Sequence, residues 1–148
     1  MVDFMTPSQR SRAMSQVRST DSKIERQIRS LLHKRGFRFR KNARHLPGSP
    51  DTLLAKYKAA AFIHGCFWHG HSGCKKSQLP TTRTEFWQKK ITTNQERDTQ
   101  KIAELFRLGW RVVVIWECAL KNVDMLLGNI DKLQEWIQSS RQWCEIPG

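Results

Sequence analysis

The sequence predicts an α/β protein built on a mixed sheet with flanking helices, and three observations carry that expectation. The run RVVVIW at Arg111–Trp116 has the continuous apolar, β-branched character of a strand buried on both faces. Residues 51–57 and 59–63 form two more strand-like runs separated by a lysine-containing turn, which suggests a hairpin. Stretches with apolar residues at helical spacing lie on both sides of these runs, giving the order helix, strand, strand, strand, helix, strand, helix. With 148 residues, 39% of them hydrophobic, the chain can fill the core of one compact domain.

In order along the chain, residues 1–20 mix Arg10, Arg12 and Arg18 with Ser, Gln and Met and read as a basic arm that orders on binding. From about Ser22, the residues Ile24, Ile28, Leu31 and Leu32 recur at helical spacing, and Gly36 stands where a left-handed terminator belongs. Phe37 and Phe39 then alternate with Arg38 and Arg40 as in a short strand. Two prolines stiffen the loop 46–50, which ends at Asp51, the start of the expected hairpin. Thr82 or Thr84 is expected to cap a helix through Phe86, Trp87 and Ile91, and a second helical stretch carries Ile102, Leu105 and Phe106 up to Gly109. After the buried strand, the residues to Trp136 read as one or two closing helices. The folded domain is thus placed at 21–140, followed by a tail at 141–148.

Charge indicates the partner. Lys and Arg number 26 against 13 acids, a formal charge of +13 that favours a polyanion through counterion release. Residues 1–50 hold 12 basic and 3 acidic side chains, and residues 34–44 hold six basic groups and no acid. Nucleic acid is the expected partner, ahead of a charge that serves solubility alone. No long apolar span or signal peptide is visible, so no membrane association and a cytoplasmic location are expected.

The chemistry concentrates in residues 62–74, FIHGCFWHGHSGC, with three histidines, two cysteines and a Phe-Trp pair. Cys66, Cys74, Cys118 and Cys144 could form two disulfides, but the neighbouring histidines suit reduced thiolates on zinc. Cys66, His71, Cys74 and Cys118 can make a closed, structural Cys₃His site, with Cys144 or His69 able to replace a member. That leaves His64 and His69 for catalysis. Asp51 alone reads as a turn or cap residue. In the expected hairpin, however, it lies across from Ile63 and His64, bringing a carboxylate for Mg²⁺, a backbone carbonyl and an imidazole together, as phosphodiester cleavage requires. Glu25 fits a capping box with Ser22 and could also reach this site. Phe67, Trp68 and Trp87 suit either a core or a wedge into stacked bases.

Taken together, Arg10-Ser-Arg-Ala-Met14, Glu25, Leu46-Pro-Gly-Ser-Pro-Asp51, His64-Gly-Cys-Phe-Trp-His69, Thr82-Arg-Thr-Glu-Phe-Trp87, Asn94-Gln-Glu-Arg-Asp98 and Gly109-Trp-Arg-Val to Trp116-Glu-Cys118 closely resemble the very-short-patch repair endonucleases. The likeness runs from about residue 8 to 138. It implies a restriction-endonuclease-like fold and a monomeric enzyme that nicks duplex DNA 5′ to the T of a T:G mismatch left by 5-methylcytosine deamination. Mismatch-repair proteins and a repair polymerase are the implied partners. By motif position, Asp51 and the carbonyl of Ile63 would hold catalytic Mg²⁺, with two ions expected, Glu25 and His64 would order water around it, and His69 would be the general base. Cys66, His71, Cys74 and Cys118 correspond to structural zinc ligands. Phe67, Trp68 and Trp87 would wedge beside the mismatch, while Met14, with Arg10 and Arg12, contacts the other side of the duplex. The chain departs from the pattern in having Ile63 where Thr is expected, and Gly70 and Gly73 are expected to loosen a longer metal loop. The competing readings are a nicking or restriction endonuclease of the same fold that reads an intact sequence, and a zinc-stabilised DNA-binding module without catalysis.

Overall fold

The computed structural model describes residues 23–147, so the basic arm with Arg10, Arg12, Met14 and Ser22 lies outside the described residues. Helix α1 (Lys23–Lys34) is followed by β1 (Arg40–Lys41), β2 (Thr52–Leu54), β3 (Ala59–His64), the long helix α2 (Thr84–Arg107), β4 (Arg111–Trp116), α3 (Val123–Ile137) and β5 (Trp143–Ile146). The strands form one mixed sheet in the order β1-β2-β3-β4-β5, antiparallel from β1 to β3 and parallel from β3 to β5. The expected mixed sheet with flanking helices is therefore present.

The period-two alternation of strand side chains divides the core into two layers. Ala59, Ala61, Val113 and Ile115 face Ile28 and Leu32 of α1 and Ile130, Leu133 and Trp136 of α3. On the opposite face, Ala60, Phe62, Val112, Val114 and Trp116 pack against Leu105 of α2. Alanines fill both faces of β3, which lets helices approach the middle of the sheet from either side. Arg111, at the first position of β4, ties the sheet to α3 and to the β2–β3 connection: its guanidinium donates to the carbonyls of Tyr57, Trp136 and Ile137 and lies over the Trp136 ring. Two of those carbonyls lie in the last turn of α3, beyond the reach of the helix's own i+4 amides.

Several local expectations change. The Phe37–Arg40 alternation gives only the two-residue β1, because Phe37 turns into the core to meet Tyr57 while the ladder with β2 begins at Arg40. The two helical stretches before Gly109 are one helix of 24 residues, since nothing between Ile91 and Ile102 breaks it. Thr84 does not cap that helix. Its hydroxyl donates to the carbonyl of Pro80, and left-handed Arg83 occupies the cap position. Residues 143–146, read as tail, add the fifth strand: Val112 to Ile115 pair with Trp143 to Ile146.

Candidate active site and metal centre

Asp51 is placed by backbone. The N–H groups of Asn42 and Ala43 donate to the carbonyls of Asp51 and Pro50, both at 3.0 Å. Gly48, at φ +75°, lies so close to the Phe62 ring and Lys101 that a β-carbon would meet both within 3.2 Å. The β2–β3 ladder ends at Thr52 opposite Ala61, so the next ladder-facing amide of β3, that of Ile63, has no backbone partner on β2. It donates instead to Asp51 Oδ2 at 2.7 Å. In an antiparallel pair a residue's N–H and C=O point the same way, so the Ile63 carbonyl is directed toward the same edge.

Glu25, on the first turn of α1, is buried beside this carboxylate, forms a hydrogen bond with it and pairs with Arg29 at 3.6 Å. Burial pushes the Asp51 carboxyl up to about 7, the Ile63 amide opposes the shift, and the Glu25 charge adds to it. A buried pair of carboxyl groups next to a backbone carbonyl is a donor set for a hard divalent cation.

His64 ends β3 on the α2 face, directly opposite Trp116 in the parallel ladder. Its ring stacks on His69, with centroids 3.8 Å apart and planes 3° from parallel. Burial, followed by the neighbouring His69, lowers its pKa to about 3, so it is a neutral imidazole at physiological pH. His69 Nδ1 lies 2.5 Å from Asp98 Oδ2 on α2. A carboxylate accepts from Nδ1–H, so in the neutral ring Nε2 is the nitrogen with the free lone pair. His64, His69 and Asp98 are close enough to suggest a further metal site. The parallel stack argues against one, because in-plane lone pairs of rings 3.8 Å apart cannot converge on a single ion.

Helix α2 holds the whole histidine loop. Besides Asp98 on His69, Asn94 Nδ2 donates to the Trp68 carbonyl and Gln95 Nε2 to the Gly70 carbonyl, both at 2.9 Å. Gly70 was expected to loosen the loop. Instead it is a contact point at φ +62°, where a β-carbon would lie 2.6 Å from Ile91 and 2.4 Å from Gln95. Asp98 carried no assigned role in the sequence reading. The available signal was its position four residues after Asn94, on the same face of a helix.

These groups line one cleft of about 510 Å³ containing Glu25, Asp51, His64, His69, Asp98 and Trp68, with Arg97 and Lys101 on its rim. Beside it, Phe67, Trp68 and Trp87 form an edge-to-face cluster with centroids 4.9 to 6.0 Å apart. Phe67 and Trp87 are buried, so the half-buried Trp68 and the exposed Phe86 present this cluster to solvent.

Behind the cleft, Cys66, His71, Cys74 and Cys118 converge. His71 Nδ1 is 3.6 Å from the sulfur of Cys66 and 3.5 Å from that of Cys118. A tetrahedral metal with thiolate bonds of about 2.3 Å and an imidazole bond of about 2.05 Å requires an edge of about 3.6 Å between those ligand atoms, so this cluster could hold a metal. All four cysteines are free thiols, and neither Cys144, on β5, nor His69 belongs to the cluster. Burial pushes the Cys66 thiol up to about 12, a cost that a bound cation would remove. The His71 ring lies flat on Trp116 at 4.1 Å, and the Trp116 indole N–H donates to Glu145 on β5.

Among the described residues, no helix is long and apolar enough to cross a membrane. The sequence model of the DNA mismatch endonuclease Vsr matches residues 2–76. The chain is 42% identical over 139 residues to the DNA mismatch endonuclease Vsr of Escherichia coli strain K12, covering 93% of this chain and 88% of that protein. It is 44% identical over 140 residues to the type II nicking enzyme V.NmeAIP of Neisseria meningitidis serogroup A, covering 95% and 99%. It is also 45% identical over 126 residues to the type II nicking enzyme V.XorIIP of Xanthomonas oryzae pv. oryzae, covering 85% and 92%. With its sheet, its cleft and these likenesses, the chain belongs to the Vsr family of DNA mismatch endonucleases.

Proposed function

We propose that this endonuclease makes a Mg²⁺-dependent, strand-specific nick in duplex DNA, 5′ to the T of a T:G mismatch. The observation that supports it most is the Asp51 carboxylate, fixed on the Ile63 amide beside Glu25 in the cleft that also holds the His64–His69 stack and Asp98. Asp51 and the Ile63 carbonyl would hold Mg²⁺, which when bound neutralises charge on the scissile phosphate. Isoleucine at position 63 leaves that carbonyl intact.

His69 Nε2 takes the proton of the attacking water as general base. Asp98 is a positioning residue: by accepting from Nδ1–H it selects the neutral tautomer whose Nε2 can accept a proton, and it stabilises the imidazolium that forms. Neutral His64, packed between His69 and Trp116, restricts the His69 ring, and with Glu25 it would order water in the cleft. Cys66, His71, Cys74 and Cys118 would hold Zn²⁺, which closes the loop as a structural ion. Trp68, backed by Phe67 and Trp87, would press on the mismatched pair. Met14, Arg10 and Arg12 belong to the expected contact with the far side of the duplex.

The test compares T:G and matched T:A duplexes with Mg²⁺, with the nick mapped on each strand. Nicking of the T strand of the T:G duplex alone, abolished in Asp51→Ala, is the expected result. The names of the nicking-enzyme relatives favour a second reading, a nick at an intact sequence, and equal cleavage of both duplexes would select it.

A further inference from the structure

The basic segment that follows α1 takes no part in the cleft, yet the fold sets it beside the cleavage centre. Between Glu25 and Asp51 the chain carries eight lysines and arginines and no acid. A groove of about 320 Å³ runs between α1 and β1, lined by Arg26, Arg29, Ser30, His33, Lys34 and Lys41 with Phe39 along it. Lys34 and Lys41 are exposed, whereas Arg29 pairs with Glu25 and Arg35 with Asp131. A surface that serves solubility mixes both signs, and this groove does not.

The groove neighbours the cleft through Arg29, which lines the groove and pairs with Glu25 of the cleft at 3.6 Å, while Lys41 on the far wall pairs in the ladder with Thr52, the residue after Asp51. From Arg26 to Lys34 the helix rises about 12 Å, the length of three or four base steps at about 3.4 Å each.

We propose that this groove seats backbone phosphates of the DNA flanking the cut on one side, adding sequence-independent affinity outside the mismatch. The proposal rests on the cleft being the cleavage centre of a DNA enzyme. Ser30 supplies a hydroxyl donor, while Lys34 and Lys41 approach the strand from opposite walls.

The experiment uses the full chain and its Lys34→Gln/Lys41→Gln variant. Affinity is followed by fluorescence anisotropy against salt concentration without Mg²⁺, on a long-flanked T:G duplex, its T:A counterpart and two T:G duplexes shortened on one side or the other. If both lysines meet phosphates, the slope of log affinity on log salt falls by about 1.8, at about 0.9 per contact, equally on T:G and T:A. Single-turnover nicking at saturating DNA stays unchanged, and Lys34→Arg/Lys41→Arg restores the slope. Shortening one particular side should abolish the difference between variant and parent, while shortening the other leaves it. An unchanged slope, or a difference that survives on both shortened duplexes, overturns the proposal. Failure of the mismatch reading has a separate signature, equal nicking of T:G and T:A by the parent protein, and leaves the salt readout intact.

Discussion

Replacing Asp98 by Asn tests the arrangement of the cleft with a change of one atom. In the parent, the carboxylate accepts from His69 Nδ1–H at 2.5 Å, and both side chains are about three-quarters shielded from solvent. Asparagine offers an amide that can donate to Nδ1, which selects the other tautomer and places the proton on Nε2, where the proposed mechanism requires an acceptor. A hydrogen bond to a charged group is worth about 1.5 to 3 kcal/mol. At about 1.4 kcal/mol per tenfold in rate, its loss should slow the chemical step by roughly 10- to 150-fold. His69→Ala sets the outer limit, at roughly 10² to 10⁴ for removal of a general base. The assay is single-turnover nicking at saturating enzyme, with DNA affinity measured separately to show that binding is preserved. Because Asp98 acts through His69, its substitution should have no further effect in a His69→Ala background. Full activity in Asp98→Asn, or an undiminished second loss in the double variant, would refute this role.

Three further outcomes follow from the geometry. Cys118→Ser should lower both metal content and folding stability, because a structural ion contributes its binding energy to the fold; a stable variant retaining a full equivalent of zinc by elemental analysis would show that Cys118 is no ligand. For Asp51, the folded pKa of about 7 lies above the ordinary 3.8, so its favourable contribution is complete below about pH 4 and is lost as pH rises through 7. Each pH unit between those values is worth about 1.4 kcal/mol, roughly 4 kcal/mol at most. His64 has the opposite sign, its contribution being lost as pH falls from 6.5 toward 3. The Asp51 effect is therefore read as the difference between parent and Asp51→Asn in urea unfolding without Mg²⁺; a difference that does not grow between pH 5 and 8 contradicts it. Trp68→Ala should reduce the ratio of T:G to T:A nicking more than it reduces total DNA affinity, and an unchanged ratio would remove the wedge.

The sheet was legible because its strands carry their own signals. RVVVIW is apolar on both faces, and the alternation across residues 59–64 divides the side chains between two helix layers as observed. The hairpin register followed, and with it the meeting of Asp51 with Ile63 and His64. β5 was not legible: WCEI mixes exposed and buried positions in an edge strand, and its order comes from pairing with β4. The role of Gly70 was also hidden, since a glycine in a loop looks the same in sequence whether it provides freedom or fits against a helix. The histidine pair was visible as residue types, but its partner Asp98 is 29 residues away and becomes a neighbour only because α2 crosses the loop.

That crossing explains how one short segment can serve two centres. Residues 65–74 are too few to make a core, so their positions are set from outside. Asn94, Gln95 and Asp98 hold residues 68–70 from the helix side, and the other end of the loop meets Cys118, which follows β4, in the Cys66–His71–Cys74 cluster. Between the centres stands Trp116, flat against His71 on one side and edge-on to His64 on the other, with its N–H fixed by Glu145. The loop backbone transmits the constraint: His71 N–H donates to the Cys66 carbonyl and His69 N–H to that of Gly65. Removing the cysteine cluster would leave the β2–β3 hairpin, and so Asp51, anchored by the sheet. The turn that carries His69 would lose one of its two supports. The carboxylate half of the cleft thus depends on the sheet, while the imidazole half depends on both the cysteine cluster and α2.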